Sequence, residues 1–143
     1  RMMILYMDTS ALVKRYFREP YSEEVQSRWK SSTHIATSCV AYAETLAAMY
    51  RKKQETGMED SLARSIADSF RLDWESLIRV EVNDRLIGYI DRVVEGHILR
   101  GFDAVHLASA LVIHGRLPES FVFACFDERL VRAARSEGLD TFP

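Results

Sequence analysis

Apolar runs suited to buried strands alternate along this chain with stretches of helical periodicity, and few architectures accept that alternation. Strand-like runs fall at about residues 3–8, 34–38, 77–82 and 121–126, and Asp140-Thr141-Phe142 adds a short edge strand. The first run leads directly into a short helix over about 9–17, ended by Glu19-Pro20. Ser22 caps a second helix to about residue 30, carrying Val25 and Trp29 four apart. Ser38 is a candidate N-cap for a helix to about residue 54, stopped by Gly57. Met58, Leu62, Ile66 and Phe70 repeat every four residues, which makes one core or interface face of an amphipathic helix over about 58–74. Asn83 or Asp84 caps the next helix, whose core side holds Leu86, Ile87, Ile90, Val93 and Val94. Helices over about 102–114, closed by Gly115, and 128–137, ended by Gly138, complete the pattern.

Strands alternating with helices imply a parallel sheet covered on both faces, an α/β chain in three layers. The expected unit is one domain over 2–143, since no internal repeat or linker interrupts it and its length suffices for a substantial core. In such sheets, sites form beyond the carboxyl ends of strands, where the strand order reverses.

Four acids occupy positions that this topology would gather. Asp8 closes the first apolar run, Asp127 closes the run at 121–126, Asp103 opens a helix, and Glu44 lies on the apolar side of another. Helix capping alone explains any one of Asp8, Asp103 and Asp127 and is worth about 1 kcal/mol each. None has Glu or Gln three residues later, so no capping box adds to that explanation. Glu44 is harder to assign to stability. Its helical neighbours are Val40, Ala41, Ala47 and Ala48, and a carboxylate on such a face needs a cation or a buried arginine. Carboxylates brought together repel one another unless a cation neutralises them, and Mg²⁺ or Mn²⁺ is the usual partner of oxygen-only ligands. Metal-dependent phosphoester chemistry is the expectation.

Other chemistries lack their residues. No paired His-x-x-x-His spacing suggests zinc, although His106, three residues after Asp103, can share its cleft; His34, His97 and His114 have no metal pattern. No nucleophile elbow surrounds Ser10 or Ser38, and no glycine-rich phosphate loop is present. A phosphoacceptor receiver module would need an acidic pair ending the first strand and a lysine after the last core strand. Here Asp8 is followed by Thr9-Ser10, and Arg129 follows Asp127. The Asp-x-Asp opening of a dehalogenase-type phosphatase is also missing.

The formal net charge is −2 and the pI near 6.1, so no general excess of positive charge advertises a nucleic-acid binder. Affinity for a polyanion would have to come from bound metal and local bases, of which Lys14 and Arg100 are the candidates for phosphate contact. Cys39 and Cys125, far apart with apolar neighbours, read as two buried thiols of a reducing compartment. With no membrane-length apolar run and no secretory pattern, a cytoplasmic protein is expected.

Four segments together resemble a PIN domain: Tyr6-Met7-Asp8-Thr9-Ser10-Ala11-Leu12-Val13-Lys14, Thr37-Ser38-Cys39-Val40-Ala41-Tyr42-Ala43-Glu44, Phe102-Asp103-Ala104-Val105-His106-Leu107-Ala108-Ser109-Ala110 and Cys125-Phe126-Asp127-Glu128-Arg129-Leu130. The likeness runs in order over essentially the whole length and is greatest to VapC-type toxins of toxin–antitoxin pairs. It implies a three-layer α/β/α PIN-like fold and a Mg²⁺- or Mn²⁺-dependent endoribonuclease acting on RNA. It also implies a homodimer held inactive by a small antitoxin protein. By motif position Asp8, Glu44, Asp103 and Asp127 would form the acidic quartet, with Asp8 and Asp103 the direct ligands and Thr9 or Ser10 orienting water or the scissile phosphate. A PIN-like scaffold that binds RNA or antitoxin without catalysis is the competing expectation.

Overall fold

The computed structural model describes residues 3–116 and 120–143; Met2 and residues 117–119, inside the expected domain, lie outside the described residues. The elements follow the order β1 (Met3–Met7), α1 (Thr9–Tyr16), α2 (Ser22–Ser31), β2 (His34–Ser38), α3 (Val40–Thr56), α4 (Asp60–Trp74), β3 (Ile78–Val80), α5 (Asp84–Gly96), α6 (Gly101–Arg116), β4 (Ser120–Ala124), α7 (Glu128–Ser136) and β5 (Asp140–Phe142). All strand pairs are parallel, in the order β3-β2-β1-β4-β5. The chain runs outward from β1 to one edge through β2 and β3, then returns to the other side of β1 through β4 and β5. The order therefore reverses between β1 and β4, where Met7 is in register with Ala124.

Strand alternation builds the three layers. Ile4 and Tyr6 point to one face and join Phe121, Phe123, Leu86, Val93, Leu107, Leu111 and Leu130, the contributions of β4, α5, α6 and α7. Leu5 and Met7 point to the other face and join Leu12, Val25, Ile35 and Ala41 from α1, α2, β2 and α3. A satellite cluster of Met49, Ala67 and Phe70, flanked by Tyr42 and Trp74, holds the α3–α4 hairpin together. Gly57 caps α3 at φ 68°, a left-handed turn that costs glycine nothing. The α/β/α architecture is thus the expected one.

Several helical faces differ from expectation. On α4 the inward residues are Ala63, Ala67 and Phe70, while Leu62 is exposed and Met58 precedes the helix. A stripe repeating every four residues drifts about 40° per step on a helix of 3.6 residues per turn, so it winds off the contact face. On α5 Leu86 and Val93 are buried, but Ile87 and Val94 lie about 100° further round and are 49% and 46% exposed. The third strand is limited to Ile78–Val80. Cys125 is buried, whereas Cys39, at the start of α3, is exposed, which corrects the expectation of two buried thiols. No described helix is long and apolar enough to cross a membrane.

Candidate active site

The reversal point of the sheet gathers three acids. Asp8 leaves the end of β1, caps α1 by accepting from the Ala11 backbone N–H at 3.0 Å, and is only 4% exposed. Asp127 follows β4 by three residues and caps α7, accepting from the Leu130 N–H at 3.0 Å. Asp103 stands in the first turn of α6, half-buried. Capping is therefore real for Asp8 and Asp127. It does not account for their company.

Ser10 binds the two strand ends together. Its hydroxyl donates to Asp8 Oδ1 at 2.7 Å and accepts from the Phe126 backbone N–H at 3.0 Å, across the β1–β4 reversal. The Asp8 main chain adds a bond from its N–H to the Ala124 carbonyl at 3.2 Å.

The electrostatics separate these acids from ordinary caps. Burial pushes the Asp8 carboxyl up, against the opposing pull of His106, Ser10, the Ala11 N–H and Cys125. Asp103 is also raised, first by burial and then by the negative charges of Asp127 and Asp8, with His106 and Arg100 pulling the other way. Among the described residues no lysine or arginine lies within 4.0 Å of the Asp8, Asp103 or Asp127 carboxylates.

Glu44, on α3, approaches the same cleft but is engaged differently. Its Oε1 accepts from the Thr9 hydroxyl at 2.7 Å and lies 2.9 Å from His106 Nε2. Burial raises its pKa, but the hydrogen bonds from His106 and Thr9 and the charge of His106 outweigh burial, so the net shift is downward. An ionised carboxylate only accepts, so His106 Nε2 carries a proton toward Glu44, and the other ring nitrogen, Nδ1, lies 2.8 Å from the Tyr6 hydroxyl. Burial keeps that phenol protonated, well above the usual tyrosine range. The partner of Glu44 is thus a histidine from α6, not a buried arginine.

The residues expected to contact substrate divide. Thr9 and Ser10 spend their hydroxyls holding Glu44 and Asp8. Lys14 turns away to Glu19 at 3.3 Å and lies 4.7 Å from the Phe126 ring centroid. Arg100 stands exposed near Asp103 and has no carboxylate within ion-pair reach among the described residues. Tyr6, not among the residues expected at the site, bonds its histidine; its signal was the two-residue spacing from Asp8 at the end of β1.

The donor set suits a small divalent cation in chemistry: hard carboxylate oxygens, mutually repelling, with no base paired to the three aspartates. Among the described residues no three His, Cys, Asp or Glu side chains close on one ion position. Mg²⁺ does not require three, since it retains several waters and is held by one or two carboxylates plus substrate oxygens.

Comparison with known proteins identifies the family. The PIN domain family profile matches residues 5–136. Ribonuclease VapC45 of Mycobacterium tuberculosis is 32% identical over 99% of this chain and 96% of its own length. Ribonuclease VapC47 of the same organism is 29% identical over 96% of this chain and 95% of its own. The FitAcB crystal structure from Neisseria gonorrhoeae covers 99% of this chain and 97% of its own at TM-score 0.69 and 14% identity. VapBC2 from Rickettsia felis, solved with a promoter DNA fragment, covers 98% of each chain at TM-score 0.66 and 16% identity. At those identities the structural matches speak for the fold alone. Sequence and fold together place the chain in the PIN-domain family, among relatives that carry the name VapC ribonuclease.

Proposed function

We propose that the chain is a divalent-metal-dependent endoribonuclease, the toxin of a toxin–antitoxin pair, acting on RNA in the cytoplasm. The observation that carries this reading is the convergence of Asp8, Asp103 and Asp127 at the sheet reversal with no protein cation paired to them. The VapC name of the curated relatives supports the ribonuclease activity, and solved neighbours such as VapBC2 support a small antitoxin as partner. A homodimer completes the reading by family likeness.

Asp8 and Asp103 are the residues to hold Mg²⁺ or Mn²⁺, with Asp127 beside them at the solvent edge. When bound, the cation neutralises phosphoryl charge and acidifies water. Asp8 is fixed for this role by Ser10 and the Ala11 N–H, which leave it little rotational freedom. Glu44 or Asp127 would accept the proton of the attacking water or hold a second ion, and Glu44, with its pKa lowered by His106 and Thr9, is ionised for either role. The departing 3′-oxygen leaves opposite that attack and takes its proton from solvent water.

The deciding experiment measures cleavage of single-stranded RNA with Mn²⁺, with EDTA, and by Asp8→Asn. Loss of cleavage in EDTA and in the variant is expected. Full activity under either condition sinks the mechanism, and RNA binding without turnover in Mn²⁺ would assign the chain to a non-catalytic scaffold.

A further inference from the structure

Between the α5–α6 connection and α7 lies a cavity of about 470 Å³, walled by His97, Ile98, Leu99, Arg129, Arg132 and Ala133. Both walls are close in sequence to acids of the site. Asp103 is four residues beyond Leu99, and Asp127 is two residues before Arg129, within about one helical turn.

The charge here opposes that of the whole chain. Segments 97–102 and 128–135 carry Arg100, Arg129, Arg132 and Arg135 against Glu128 alone, in a protein of net charge −2. Among the described residues Arg129 has no ion-pair partner, and Arg132 meets Glu128 only at 4.0 Å with both side chains mostly in water. The nearby Glu137 is engaged by His97 at 2.8 Å and Arg92 at 2.7 Å, so its charge is already answered. Apolar surface accompanies the arginines: Ile98 is 87% exposed, and Phe102, next to Asp103, is 57% exposed. Unpaired guanidinium groups beside bare apolar side chains are what a single-stranded nucleic acid needs, cations for phosphates and flat or apolar faces for unstacked bases.

We propose that this cavity is the subsite for the RNA flanking the scissile phosphate, with Arg129 and Arg132 on a neighbouring phosphate and Ile98 against a base. The inference rests on the ribonuclease reading and supplies the local basic surface that the net charge conceals. An acidic peptide segment is the other polyanion that guanidinium groups attract.

The test compares wild type, Arg129→Ala/Arg132→Ala, and a charge-matched control, Arg51→Ala/Arg64→Ala, on α3 and α4. Binding of a fluorescent 12-nucleotide single-stranded RNA is titrated in EDTA across a KCl series, with a polyglutamate peptide of equal length as the second probe. Cleavage is measured separately with Mn²⁺. Loss of two phosphate contacts should flatten the slope of log K against log salt by about 1.4. It should also raise KM about tenfold or more with kcat within about twofold, while the control matches wild type. Metal-dependent cleavage with unchanged slope and KM in the α7 variant would overturn the subsite and leave the nuclease reading intact. Arginine-dependent RNA binding in a chain that never cleaves would keep the subsite and remove the nuclease. Arginine-dependent binding of polyglutamate but not RNA would assign the cavity to a peptide and overturn the proposal.

Discussion

Replacing His106 by Leu tests the histidine bridge between the sheet core and Glu44. The ring is 1% exposed, and a leucine roughly fills its volume, so the change removes hydrogen bonds rather than opening a large void. The bond to ionised Glu44 at 2.9 Å contributes about 1.5–3 kcal/mol, and the bond with Tyr6 at 2.8 Å about 0.5–1.5 kcal/mol. Ser109 and Thr37 also approach the Tyr6 hydroxyl and soften its loss, so the net cost is about 2–4 kcal/mol. In a domain of this size that lowers Tm by about 6–12 °C at pH 7. Linkage adds a pH signature. Glu44 is lowered in the folded state, so its contribution is present above the ordinary carboxylate range and lost as pH falls through the depressed folded pKa. The Tm gap between wild type and variant should therefore be full at pH 7 and narrow below about pH 4. Circular dichroism melts at both pH values measure it, and a cycle with Glu44→Gln should give a coupling of about 1 kcal/mol or more. A variant within about 1 °C of wild type, or a gap equal at both pH values, would refute the bridge.

Mn²⁺ should raise Tm more at pH 7 than at pH 5. Asp8 and Asp103 have raised folded pKa values, so the metal-free protein loses stability as pH rises from the ordinary carboxylate range through those values, and a cation offsets that loss. Equal gains at both pH values, or an undiminished gain in Asp8→Asn, would contradict it. Ser10→Ala should cost about 1–3 kcal/mol in urea unfolding with m unchanged, because it strips a bond from Asp8 and leaves the Phe126 N–H without its acceptor; an unshifted midpoint would count against it. A thiol reagent should modify one cysteine in the native chain, the exposed Cys39, and reach Cys125 only on unfolding, since burial pushes that thiol far up. Modification of both at equal rates would show the core placement of Cys125 to be wrong.

The layers and the acid cluster were legible because both follow from short-range pattern. The runs that became β1, β2 and β4 are continuous in sequence, and the acids that follow β1 and β4, Asp8 and Asp127, need only the parallel topology to become neighbours. Partners that depend on packing were not legible. Glu44 meets a histidine 62 residues away, and nothing local to either residue announces the pairing. Ile87 and Val94 qualified as core by composition, yet α5 contacts the body through a narrower stripe than its apolar residues span. Arg132 and His97 carry no motif and became candidates only because the α5–α6 connection folds against α7.

The flanks of the sheet, β3 and β5, offer three residues apiece. A visiting extended chain would find too few free main-chain groups on either side to lengthen the array. Self-templated stacking is discouraged for the same reason, and any protein that grips this molecule must do so by its helices and loops rather than by becoming a sixth ribbon.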